Sequence, residues 1–147
     1  MFRGRSVHTI DSKNRMSIPA GFRVILNSQG DQAPILTNDA ACLALYPYED
    51  WCSLEESLLN LSSIDPDVGD YARFMVSGAT ECSIDKQGRI LVPPTLRDYA
   101  GFDREVVVAG VGNHLELWDK TRFDAEIMKI QTRFSEIRSS VAAKMVP

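Results

Sequence analysis

Histidine and cysteine are scarce. The 147-residue chain has two histidines, His8 and His114, and three cysteines, Cys42, Cys52 and Cys82. No C-x-x-C pair and no close His/Cys spacing occurs, which excludes the usual zinc-ligand patterns. Three widely spaced thiols suit a reducing compartment without a disulfide framework. Neither G-x-x-x-x-G-K nor G-x-G-x-x-G is present, so the phosphate-cradling glycine loops are missing. No apolar run approaches the length of a membrane span. Met1-Phe2-Arg3-Gly4-Arg5 lacks the apolar stretch of a secretion signal. These absences point to a cytoplasmic protein with no cofactor, no metal and no membrane partner.

What is present is ordinary in bulk and uneven in distribution. The hydrophobic fraction of 44% and the charged fraction of 24% are those of a globular chain able to bury one core. Net charge is −4, which by itself argues against a polyanionic partner. Residues 1–23, however, carry Arg3, Arg5, Lys13, Arg15 and Arg23 against Asp11 alone. The acids gather later, at Glu49, Asp50, Glu55, Glu56, Asp65, Asp67 and Asp70. A basic segment of that kind can still meet phosphate.

One phrase occurs twice. Ile10-Asp11-Ser12-Lys13-Asn14-Arg15-Met16-Ser17-Ile18-Pro19 returns as Ile84-Asp85-Lys86-Gln87-Gly88-Arg89-Ile90-Leu91-Val92-Pro93. The offset of 74 also pairs Gly4 with Gly78 and Arg23 with Arg97. At an offset of 72, Cys42-Leu43-Ala44-Leu45-Tyr46 falls on His114-Leu115-Glu116-Leu117-Trp118. An internal repeat describes how a molecule is built. Each copy is expected to run strand, turn, strand, short helix, strand, strand, helix.

Ser6–Ile10 and Met16–Ile18 alternate as strands, and Cys82–Ile84 and Ile90–Val92 repeat the pattern. Pro19 and Pro93-Pro94 stand where short helices should begin. Residues 49–62 have helical spacing, a further helix is expected after Pro66, and Lys120 to about Val141 carries an apolar stripe. The last residues are expected to fray. Ala109–Asn113 reads as a hairpin turn.

Asn14 and Gly88 occupy equivalent places just before Arg15 and Arg89. Glycine takes positive φ without penalty, and asparagine is the next most tolerant residue. A tight turn with a left-handed residue is expected in each copy, and it would fix how each arginine leaves the backbone. Asp11 and Asp85, four residues before the arginines, are expected to accept hydrogen bonds from the turn or from the guanidinium. A plain hairpin closed by an Asp–Arg salt bridge is the structural alternative, and both descriptions can hold for one pair.

Three chemistries compete. His8 aligns with Cys82, but two ligands do not make a zinc site. Asp11 and Asp85 could imitate the paired carboxylates of a two-fold protease, yet their neighbours are Ser12-Lys13 and Lys86-Gln87, and nearby cations would keep both ionised. Nucleic-acid binding remains. Arginine forks onto guanine edges or phosphates, and lysine supplies point charge.

The opening Met-Phe-Arg-Gly, both D-x-x-x-R motifs, Arg97-Asp98-Tyr99-Ala100-Gly101 and Leu115-Glu116-Leu117-Trp118 together resemble the bacterial MraZ family, over residues 1 to about 130. The resemblance implies a mainly β fold with flanking helices (α+β). In that fold two SpoVT/AbrB-like halves form a pseudo-two-fold swapped-hairpin (double-split) β-barrel. The expected division is 5–52, first half-domain; 53–79, helical connector; 80–124, second half-domain; 125–147, C-terminal helix and tail. It also implies a ring-shaped homo-oligomer that binds tandem promoter repeats of double-stranded DNA upstream of its own operon, the division and cell-wall gene cluster, at the nucleoid. The expected DNA contacts are Lys13, Arg15, Arg3, Arg5, Lys86 and Arg89, with Asp11, Asn14, Asp85 and Gly88 orienting the turns. Asn14 departs from the glycine usual in the family, and Gln87 stands where the first copy has Lys13. The first turn, set in the basic segment 1–23, is expected to be the main contact. An assembly module that binds no DNA, and a hydrolase built on Asp11/Asp85, are the alternatives.

Overall fold

A computed structural model describes residues 1–145. Each half contains the expected series. The first half holds β1 (Arg5–Thr9), β2 (Arg15–Ser17), α1 (Ala20–Leu26), β3 (Ile35–Asn38), β4 (Leu43–Tyr46) and α2 (Tyr48–Leu59). A connector follows, with α3 (Pro66–Tyr71) continued by a π-helical turn at Ala72–Val76. The second half holds β5 (Thr80–Glu81), β6 (Arg89–Leu91), α4 (Pro94–Ala100), β7 (Glu105–Gly110), β8 (Leu115–Asp119) and α5 (Lys120–Met145). Pro19 and Pro93 cap α1 and α4, and Pro94 is the first residue of α4. Residue 52 lies inside α2 and residue 125 inside α5, so both helices run across expected segment boundaries.

The strands exchange partners between halves. β1 pairs antiparallel with β7, and β5 with β3. β4 and β8 pair at the seam, Leu43 opposite Leu117, Ala44 opposite Glu116 and Leu45 opposite Leu115. The repeat turns the Leu43–Leu117 pair into Leu115–Leu45 and Ala44 into Glu116, so the pseudo-two-fold axis passes through the Ala44–Glu116 pair. A second symmetric pairing joins β2 to β6, with Met16 opposite Ile90 at its centre.

The sheet is mixed with helices and antiparallel, but it is not a closed barrel. Six strands run in the order β1-β7-β8-β4-β3-β5, and β2-β6 forms a separate ribbon. Each hairpin opens just after its turn. Asp11 N–H donates to Arg15 O at 2.9 Å, but Ile10 N–H already turns to Arg104 O. The strand expected at Cys82–Ile84 does not form, and the short β5 lies just before it at Thr80–Glu81. Cys82 N–H donates to Pro34 O at 2.8 Å, and Pro34, having no N–H to return, ends the ladder.

The main core lies between the ribbon and the sheet. Met16, Ile18, Ile90 and Val92 from the ribbon side meet Leu36, Leu45, Val108 and Leu117 from the sheet. The other face of the sheet is covered twice. Trp51 of α2 and Met75 pack on Ile35, Ala44 and Tyr46, while Phe123 of α5 packs on Trp118 and Val107. No residue of α5 is buried, and from Met128 to Met145 every residue except Ile137 is exposed.

Candidate nucleic-acid interface

Both turns have the left-handed residue that their sequences require. Asn14 has φ 65° and Gly88 has φ 78°. The carboxylates then organise each turn in the same way. Asp11 Oδ1 accepts from the N–H of Lys13 and of Arg15, both at 2.9 Å, and Oδ2 accepts from Arg15 Nε at 2.9 Å. Asp85 Oδ1 accepts from Gln87 N–H and Arg89 N–H at 2.9 Å, and Oδ2 from Arg89 Nε at 3.1 Å. The backbone N–H of the arginine is the chief reason each carboxyl titrates below its ordinary 3.8, partial burial opposing it and the guanidinium reinforcing it. Carboxylates so held remain charged, and neither can share a proton as a protease dyad must.

The Asp engages only Nε. Among the described residues, no protein acceptor meets the Nη groups of Arg15 or Arg89. The two guanidinium forks are therefore aimed by their carboxylates and open at the tips.

The ribbon brings the two forks together. Arg15 lies opposite Leu91, and Ser17 opposite Arg89. Met16 and Ile90 point into the core, so Arg15, Ser17, Arg89 and Leu91 share the outer face. Arg15 and Arg89 are a diagonal pair on this face, about 7–8 Å apart by ordinary ladder spacing. The turns are also bound across the halves, Ile18 N–H donating to Gly88 O at 3.0 Å and Val92 N–H to Asn14 O at 2.8 Å. Lys13 and Lys86 are exposed beside their turns.

Arg3 and Arg5 stand apart. Arg5 is at the far end of β1, about 20 Å of strand from Asp11, and its guanidinium lies over the Phe123 ring at 5.4 Å. The charge cluster at the start of the sequence is therefore two separate places in the fold.

A pair of supporting arginines escaped the sequence reading, although the repeat marked both. Arg97 on α4 reaches the first turn, donating from Nη1 to Asp11 O and Asn14 Oδ1 at 2.8 Å, and from Nε and Nη2 to Phe102 O and Asp103 O. Its equivalent Arg23, on α1, lies against Gly88, where a Cβ would come within 1.8 Å of Nη1. Each short helix thus backs the turn of the other half. The different turn residues explain the different contacts: Asn14 offers an acceptor, and Gly88 leaves room.

His8 does not join Cys82. His8 Nε2 lies 2.8 Å from Ser6 Oγ, and the Cys82 thiol faces Leu91 O. Among the described residues the one group able to offer three metal ligands is elsewhere, at Asp39, His114 and Glu116. No helix among these residues is long and apolar enough to cross a membrane.

Two repeated half-units, exchanging strands and presenting paired Asp–Arg turns on one ribbon, define the structural class. The chain matches the family model described as "MraZ protein, putative antitoxin-like" over residues 1–73 and 75–143. It is 37% identical over 141 residues to the transcriptional regulator MraZ of Syntrophobacter fumaroxidans, covering 96% of this chain and 94% of that protein. It is 40% identical to the proteins of that name from Desulforamulus reducens, over 96% of this chain and 97% of the other, and Solidesulfovibrio magneticus, over 99% and 97%. The chain belongs to the MraZ family.

Proposed function

We propose that this protein is a transcriptional regulator that binds double-stranded DNA sequence-specifically through the β2–β6 ribbon. One observation carries this reading. The ribbon presents two arginines, one from each half, on a single outer face, each aimed by a carboxylate through Nε and open at its Nη groups. An open fork is the group that takes a guanine edge or a phosphate in bidentate fashion. Lys13 and Lys86 add backbone charge on either side. Both turns take part, each with one lysine and one arginine against one aspartate, and Arg3 and Arg5 meet DNA only at a distance from the ribbon. The names of the relatives support the regulatory role.

The DNA is a set of tandem repeats upstream of the protein's own operon, the division and cell-wall gene cluster, which the protein represses at the nucleoid, in the cytoplasm. The protein acts as a ring of identical chains built from the two half-domains. A single chain of net charge −4 offers few phosphate contacts. Repeated ribbons on a ring engage repeated sites, and affinity rises through effective concentration. The unpaired length of α5, with Ile130, Phe134 and Val141 exposed, supports contact between copies.

The test is a titration of wild type, Arg15→Ala and Arg89→Ala against the upstream DNA and a scrambled control, at two salt concentrations, with the size of each protein measured. Selective, salt-sensitive binding that either variant loses without a change in size is the expected result. A well-assembled wild type without selectivity would overturn the reading and favour an assembly module.

A further inference from the structure

We propose that Asp39, His114 and Glu116 form a binding site for one divalent first-row transition-metal ion. Asp39 follows β3 in the first half, whereas His114 immediately precedes β8 and Glu116 lies within it in the second. One ligand atom from each lies within 4.8 Å of the other two. Two ligands at about 2.0–2.2 Å from a metal stand at most about 4.4 Å apart. Three ligands sharing one ion in a tetrahedral shell stand roughly 3.4 Å apart, so a rotation of the side chains by on the order of 1 Å brings these atoms into range. All three are half-buried.

The surroundings orient each ligand. His114 stacks on Tyr46, with ring centroids 4.5 Å apart and planes at 16°. Its Nδ1 lies 2.8 Å from Asn113 Oδ1. With Nδ1–H donated there, Nε2 carries the lone pair, which is the arrangement that sets a metal-binding imidazole. Glu116 accepts from Trp118 Nε1 through Oε1 at 2.9 Å, which holds its carboxylate in place. The turn that carries Asp39 is pinned by Tyr99, whose hydroxyl donates to Asp39 O at 2.6 Å and accepts from Ala41 N–H at 3.3 Å. Ala41 is held there at φ 61°.

Charge and symmetry point the same way. Two carboxylates face one another here, and among the described residues neither forms an ion pair with lysine or arginine. A divalent cation would neutralise both. The repeat is also broken at these positions. Leu43 and Leu45 keep their equivalents Leu115 and Leu117, while Cys42 becomes His114 and Ala44 becomes Glu116. Ligand-type residues thus enter one copy beside the pseudo-two-fold axis. One imidazole with two carboxylates suits Mn²⁺, Fe²⁺, Co²⁺ or Zn²⁺ better than Ca²⁺ or Mg²⁺, which prefer all-oxygen shells. The bound ion would brace the first half to the second across the β4–β8 seam. The site does not depend on the DNA-binding reading.

The experiment uses the full-length protein stripped with chelator, titrated calorimetrically at neutral pH with Zn²⁺ and Mn²⁺, and separately with Co²⁺ in the spectrophotometer. One ion per chain, a raised Tm with metal, and binding weakened at least about ten-fold in Asp39→Asn, Glu116→Gln and His114→Gln are expected. The Co²⁺ spectrum of the wild type should lack a thiolate charge-transfer band. No stoichiometric binding, undiminished binding in a folded Glu116→Gln, or a thiolate band that puts Cys42 in the shell would each overturn the proposal. The wild-type titration and spectrum decide the matter even if a variant does not fold.

Discussion

Arg97 donates from Nη1 to Asn14 Oδ1 at 2.8 Å, across 83 residues of sequence. The contact ties the left-handed residue of the first turn to a helix of the second half. The same nitrogen reaches Asp11 O, so one guanidinium holds both ends of the turn.

Replacement of Asn14 separates two contributions. Asn14→Ala keeps a side chain at φ 65° and removes an acceptor for a charged donor. The left-handed cost of alanine and the lost bond together should destabilise by about 1–3 kcal/mol. Asn14→Gly loses the same acceptor but relieves the backbone, and should cost less than Asn14→Ala. Urea unfolding at fixed protein concentration measures both.

Gly88 and Gly21 should respond to alanine with opposite signs. At Gly88 the new Cβ would meet Arg23 at φ 78°, so Gly88→Ala should destabilise by about 1–2 kcal/mol and displace the arginine. Gly21 lies within α1 with open space around a Cβ. Gly21→Ala should therefore stabilise by about 0.5–1 kcal/mol. Thermal unfolding of the two variants side by side gives the comparison.

Acid should loosen the turns. Asp11 and Asp85 titrate below their ordinary 3.8 in the folded protein. Their contribution is full above that value and is lost as pH falls through the lower folded pKa. The Nε–H signals of Arg15 and Arg89, followed by NMR, should lose protection only below the ordinary carboxylate range. In Asp11→Asn the Arg15 step should vanish while the Arg89 step persists.

Arg15→Lys should not restore what Arg15→Ala removes. A lysine has no Nε–H to meet Asp11 Oδ2 while leaving a planar fork outward. The affinity for the upstream DNA should fall in both variants. Arg15→Lys should keep more of the salt dependence, since a point charge still neutralises phosphate. Binding isotherms at several salt concentrations distinguish the two.

The face beneath the arginines sets the ribbon. Met16 and Ile90 are opposite one another and almost fully buried. Met16→Ala should cost about 2–5 kcal/mol, and the two arginines should lose their common orientation. Unfolding and DNA binding should therefore fall together, unlike in Arg15→Ala, which should leave stability nearly unchanged.

Much of the local chemistry could be read from the chain. The repeat located both turns, and the tolerance of Asn14 and Gly88 for positive φ foretold their backbone conformations. The four-residue spacing of Asp11 to Arg15 and Asp85 to Arg89 foretold the hydrogen bonding. These features depend on residues within one turn of chain, where sterics leave few choices. The helices after Pro19, Pro66 and Pro93 followed from the same local rules.

The distant pairings were decided only in three dimensions. Nothing near Arg15 in sequence says that β2 will pair with β6, so the meeting of Arg15 and Arg89 on one face was not legible. Nor was the separation of Arg5 from Arg15, because a strand carries neighbours in sequence far apart in space. The open sheet in place of a barrel depends on where the hairpins diverge, and the short β5 on a proline that meets Cys82 only after folding. Asp39 is remote in sequence from His114 and Glu116, and only the β4–β8 seam gathers them. The sequence by itself determined the two turns and their aimed arginines, because backbone sterics and short-range hydrogen bonds act within a few residues. The tertiary structure decided which of those groups share a surface, because burying Met16 against Ile90, and Leu45 beside Leu115, depends on contacts between the halves.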